Sequence, residues 1–126
     1  MLFIGVYSNE TPKKEEYMNT KLTVTDLSFQ TAFIKYGKAM VLEFFASWCP
    51  HCQRMVPILD TLAQEYEGKV SFLVVDVDQS PLTSHQYSVG GVPMFMLIKN
   101  GKVLEKFSGG ISLEDLRHKI ENKLLS

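Results

Sequence analysis

Two cysteines, Cys49 and Cys52, are the only thiols in the chain, and they stand together in Cys49-Pro50-His51-Cys52. That spacing lets two sulfurs meet across one helical turn, so a disulfide can form and break between them. The apolar run Met40–Phe45 just before them reads as a strand, and helical spacing follows. Cys49 therefore falls at a helix N-terminus, where unpaired N–H groups and the helix dipole favour a thiolate. Cys49 is the expected nucleophile and Cys52 the resolving thiol. Pro50 suits an early helical position, and a protonated His51 would add positive charge near the Cys49 sulfur. Glu43 is the one charge inside the preceding strand. A carboxylate there is costly unless paired or functional, which points to proton exchange with Cys52.

Metal binding is the rival chemistry for the two sulfurs. Zinc asks for about four ligands. The chain offers two sulfurs and His51 at the motif, with His85 and His118 distant in sequence, so a metal would need a second copy to complete its shell. No metal and no cofactor beyond the dithiol itself are expected.

The elements that must position these groups alternate between strand and helix. Lys21–Val24 suits a short edge strand, after which Thr25 and Asp26 offer N-cap oxygens to a helix carrying Leu27, Phe33 and Ile34 and ending at Gly37. Met40–Phe45 is too apolar for an amphipathic surface element and reads as a central strand buried on both faces. Met55, Ile58, Leu59, Leu62 and Tyr66 stripe the next helix, which Pro57 should kink and which ends before Gly68. Val70–Val77 is a second buried strand, and Ser80-Pro81 opens a short helix to about Tyr87. Met94–Lys99 and Lys102–Phe107 are strands joined by a tight turn at Asn100-Gly101. Ser112 with Asp115 resembles a capping box for a last helix striped by Leu113, Leu116, Ile120 and Leu124.

At 126 residues, with 45% hydrophobic and 21% charged residues, the chain fits one soluble α/β domain. Residues 1–20 lack a sustained period and read as a mobile leader; residues 21–126 form the domain. A formal net charge of −1 disfavours a phosphate-tracking nucleic-acid binder. No apolar run is long enough to span a bilayer. The apolar start, Met1–Tyr7, lacks a basic leading residue and the length of a signal peptide, which favours a cytoplasmic location, with export or the periplasm as the alternative.

Phe44-Phe45-Ala46-Ser47-Trp48-Cys49-Pro50-His51-Cys52, Pro57, Asp78, Gly91-Val92-Pro93 and Asn100-Gly101-Lys102 together resemble the thioredoxin family in order and spacing, from about Lys21 to Ser126. The resemblance implies a mixed four- or five-stranded sheet flanked by helices, with Val92–Pro93 as a cis peptide beside the cysteines. It also implies that substrate chains lie against Trp48, Val92 and Gly109. Three features depart from the housekeeping pattern. Pro50-His51 replaces Gly-Pro and is similar to the pair in bacterial disulfide oxidases, yet the chain has no room for the helical domain those proteins insert. Glu43 stands where thioredoxins carry a buried aspartate, and Val74 where they carry a lysine. The expected function is thiol-disulfide exchange with protein substrates and a redox partner, by a monomer. The alternative is a non-catalytic binding or holdase module of the same fold.

Overall fold

The computed structural model describes residues 21–126; the leader expected over residues 1–20 lies outside them. Five strands, β1 (Lys21–Val24), β2 (Ala39–Phe45), β3 (Ser71–Asp76), β4 (Met94–Lys99) and β5 (Lys102–Ser108), form one mixed sheet in the order β1-β3-β2-β4-β5. The first three run parallel to one another, whereas β4 is antiparallel to β2 and β5 to β4. The helices are α1 (Phe29–Tyr36), α2 (Pro50–Glu65), α3 (Pro81–Gln86) and α4 (Leu113–Lys119), the last continuing into a π-helical turn, Ile120–Leu124.

The side chains of β2 alternate between two cores. Met40, Leu42 and Phe44 join Leu73, Val75, Met94, Met96 and Ile98 beneath Phe29 and Ala32 of α1. Val41 faces the other way, with Phe72, Val74, Phe95 and Leu97, against Met55, Leu59 and Leu62 of α2 and Leu116, Ile120 and Leu124 at the C-terminus. Burial on both faces is why the strand reads as a continuous apolar run. The β4–β5 turn has positive φ at both Asn100 (52°) and Gly101 (79°), the combination a two-residue hairpin of this hand needs. Ser112 Oγ accepts the Asp115 N–H at 3.1 Å and caps α4 as expected.

The start of α1 differs from expectation. Thr25 C=O accepts the N–H groups of both Ser28 and Phe29, closing a turn before the helix begins. The cap position therefore moves to Ser28, and Leu27, 97% exposed, falls off the buried stripe, as does Ile34 on the outer face. Asp26 caps a different helix. Its carboxylate accepts the Leu82 N–H at 3.1 Å, the Thr83 N–H at 2.8 Å and the Thr83 hydroxyl at 2.6 Å, at the N-terminus of α3. Ser80, the nominal cap residue, makes no side-chain capping bond. Pro57 lies inside α2, and the helix runs through it.

The Thr83 hydroxyl bond, helped by the two N–H donors, holds the Asp26 carboxyl below the usual carboxylate range. A depressed folded value contributes stability that is fully present above the unfolded value, about 3.9, and is lost as pH falls through the folded one. Urea midpoints of the protein and of Asp26→Asn should accordingly differ most above about pH 5 and converge in acid. A gap that stays constant down to the folded carboxyl's titration would show that the charge plays no part.

Candidate active site

Strand β2 ends at Phe45, and the chain turns through Ala46–Trp48 into α2, held there by the Cys49 N–H bond to Ala46 C=O at 3.2 Å. Cys49 is the N-cap of α2, in extended conformation, and its sulfur accepts the Cys52 N–H at 3.2 Å. Pro50 occupies the first turn, where no backbone donor is lost to the helix ladder. The two side chains pack with Ala46 against Phe45, Val77 and Val92. Cys49 Sγ also lies 3.7 Å from Val92 C=O, and the Val92–Pro93 bond is cis. Gly109, with φ of 92°, sends its N–H to Pro93 C=O at 2.8 Å. Trp48, Val92, Pro93 and Gly109 are thus brought to the same end of the sheet as the sulfurs, although far apart in sequence.

Cys49 and Cys52 are 4% and 3% exposed, so access does not distinguish them. Their electrostatics does. The Cys49 sulfur sits at the positive end of α2 and receives an N–H, which supports negative charge. Burial pushes the Cys52 thiol up to about 12, reinforced by its hydrogen bond with Cys49.

Glu43 is 4% exposed, and no protein donor reaches its Oε2 among the described residues. Burial raises its carboxyl from an ordinary 4.5 to about 7, with the charge of Lys21 acting against the rise. It shares a cleft of about 290 Å³ with Lys21, Thr23, Ser47, Cys52, Gln53, Val56 and Val74. The strand carboxylate and the inner thiol therefore line one space.

His51 departs from its expected part. Its Nδ1 lies 2.8 Å from Arg54 Nη1. A guanidinium has no lone pair to accept with, so Nδ1 is the acceptor and the ring carries its proton on Nε2. The fixed cation at this corner is Arg54, which sequence reasoning passed over although it stands three positions on, one helical turn away. Trp48 is 66% exposed and donates its indole N–H to Asp78 Oδ2 at 2.8 Å, which fixes the orientation of the ring at the surface. Asp78 is part of the family-like pattern, but nothing local in the sequence marks its bond to Trp48, thirty positions away. Lys21 and its partner Asp60 were missed altogether. No group of three or more His, Cys, Asp or Glu is placed to hold a metal ion among the described residues.

The family model for thioredoxin matches residues 20–122. The chain belongs to the thioredoxin family. It is 34% identical to a thioredoxin of Chlorobaculum thiosulfatiphilum over 79% of this chain and 93% of that protein. It is 33% identical to one of Acidithiobacillus ferridurans, over 82% and 95%. Thioredoxin 1 of Nostoc sp. is 29% identical over 85% of this chain and its own full length. The protein is a thiol-disulfide oxidoreductase acting on protein disulfides, and the holdase alternative finds no support. No helix among the described residues is long and apolar enough to cross a membrane.

Two measurements check the site as described. Because Cys52 is held as a thiol, an alkylating agent at pH 7 to 8 should modify Cys49 of the reduced protein, read by peptide mapping. Labelling that starts on Cys52 would reverse the two sulfurs. Glu43 carries the second test. A carboxyl whose folded value is raised contributes stability below its unfolded value and loses it as pH rises through the folded one, here between about 4.5 and about 7. Relative to Glu43→Gln, the protein should lose up to about 3 kcal/mol of stability across that window in denaturant melts, and a flat difference would contradict it.

Proposed function

We propose that Cys49 is the attacking sulfur, Cys52 the resolving one and Glu43 the group that takes the Cys52 proton. The Cys49 thiolate attacks a substrate disulfide, forming a mixed disulfide and releasing one substrate thiolate. Cys52 then loses its proton to the Glu43 carboxylate and attacks Cys49. The Cys49–Cys52 disulfide forms, and the second substrate sulfur leaves as a thiolate that takes up a proton. Two electrons pass from the protein dithiol to the substrate, and the reverse sequence donates a disulfide. The dithiol is itself the redox group, and the reading invokes no further cofactor.

The observation that carries this reading is the shared cleft of Glu43 and Cys52. A thiol at about 12 does not give its proton to a carboxyl at about 7 in the resting reduced protein. After burial, however, the causes of that rise include the hydrogen bond and charge of Cys49, and both disappear when Cys49 is tied to substrate. Engagement of the first sulfur thus releases the second. Trp48, Val92, Pro93 and Gly109 line the approach and take the substrate chain; Pro50 and His51 set the separation and surroundings of the sulfurs. The chain works as a monomer on protein substrates, with a separate protein partner restoring its redox state.

Insulin-disulfide reduction should be abolished in Cys49→Ser. In single-turnover experiments Glu43→Gln should form the mixed disulfide at an unchanged rate and resolve it at least tenfold more slowly, the lower end of the usual gain from a positioned acid or base. Equal slowing of both steps would remove Glu43 from the proton path.

A further inference from the structure

The cleft under the sulfurs contains a charge that the exchange chemistry above leaves unused. Lys21 enters it from β1, the edge strand, two residues from Thr23, whose register neighbours across the sheet are Val74 and then Glu43. Its side chain is 13% exposed, so the stem is packed and the ammonium has little freedom. Nζ meets Asp60 Oδ1 at 2.8 Å. Asp60 lies on α2 at four-residue intervals from Val56 and Cys52, so one stripe of the helix holds the resolving thiol, an apolar wall of the cleft and the anchor for the lysine. Among the described residues, the charged or titratable groups that share the cleft with the carboxyl are Lys21 from β1 and Cys52 from α2, with Asp60 paired to Lys21. The register neighbours of Glu43 on β3 and β4 are the apolar Val74 and Phe95.

We propose that Lys21, anchored by Asp60, is a positioning residue for the redox reaction: its ammonium sets the pH range over which Glu43 is free to take the Cys52 proton. The proposal rests on the reading of Glu43 as proton acceptor. A carboxylate in a cleft with apolar walls is destabilised by desolvation, and without a counter-charge it would hold its proton at neutral pH and be unable to accept another. An ammonium in the same cleft offsets part of that cost, because attraction between opposite charges is weakly screened there. The opposing influences on the Glu43 carboxyl, burial upward and Lys21 downward, agree with this arrangement. The Asp60 side chain is 43% exposed as a whole, but the Oδ1 that meets the lysine is buried, so the contact is an ion pair at the inner side of Asp60.

The test measures two quantities on the intact reduced protein. One is the pH midpoint of the Glu43 carboxyl carbon by NMR. The other is the rate at which Cys52 resolves an aryl mixed disulfide placed on Cys49. Lys21→Met keeps the packed stem and removes the charge; it should raise the midpoint by about one pH unit and slow resolution at pH 7 about fivefold. Lys21→Arg should restore both towards the original values, and Lys21→Gln serves as the neutral variant if methionine impairs folding. In a Glu43→Gln background the lysine substitution should slow resolution no further. A Glu43 midpoint unmoved by loss of the lysine charge, or equal slowing with and without Glu43, overturns the proposal while leaving the carboxylate's role intact. If the midpoint moves but Glu43→Gln resolves at the original rate, the proton-acceptor reading fails and the role of Lys21 in turnover falls with it.

Discussion

A strand buried on both faces has no water to satisfy its backbone, so it must be hydrogen-bonded along both edges. For β2 this requirement is met by β3 on one side and β4 on the other. The rest of the arrangement depends on it. The C-terminal end of β2 becomes the centre of the sheet's active edge, and the chain leaving it has one short turn in which to start α2. Cys49 is therefore presented at a helix N-terminus above the core. The same constraint makes Glu43 costly, because its position in the alternation sends a carboxyl into the layer between the sheet and α2 along with Val41. One strand supplies both the platform for the nucleophile and the buried acid beneath its partner.

The electrostatics of the cleft is built from opposed tendencies of moderate size. Desolvation biases both Glu43 and Cys52 towards their neutral forms. Neither group is fixed there: a lysine lies near the carboxyl, and much of what acts on the inner thiol comes from the outer one. The outer sulfur's covalent state is thus communicated to the inner sulfur over a single hydrogen bond and a short Coulombic distance, without movement of an element. At the rim, the Arg54–His51 contact supplies a permanent cation where an imidazole alone would supply one that comes and goes with pH.

What could be seen in the sequence was what local pattern determines. The central strands were visible as apolar runs, α2 as a stripe, the hairpin as Asn100-Gly101, the capping of α4 as Ser112 with Asp115, and the redox pair as Cys49 and Cys52. Glu43 stood out because a charge inside a buried strand violates its surroundings. The features that escaped notice depend on residues distant in sequence. Asp26 lies beside a plausible helix start, yet its carboxylate bonds more than fifty residues away, and nothing near it announces the choice. Lys21 reads as an ordinary lysine on an edge strand; its meaning comes from sharing a cleft with Glu43 and an ion pair with Asp60 of α2. The start of α1 is hidden for a related reason, since Thr25 C=O closes a turn first and leaves Leu27 outside the buried stripe while Phe33 stays packed against the core.

Strand β1 is four residues long and pairs with β3 alone among the described strands. Terminal edge strands of this kind sit at the low end of a protein's local stabilities, where opening to solvent precedes global unfolding. Two residues beyond its end, Asp26 clasps the start of α3 across the fold and limits how far that opening runs. Because Lys21 is the first residue of β1, fraying of the strand withdraws the ammonium from the cleft and returns Glu43 to the dominance of desolvation. The acid–base state of the redox centre is consequently coupled to the breathing of an edge strand, and whatever steadies that edge, including a neighbouring chain laid along it, also adjusts the chemistry two strands away.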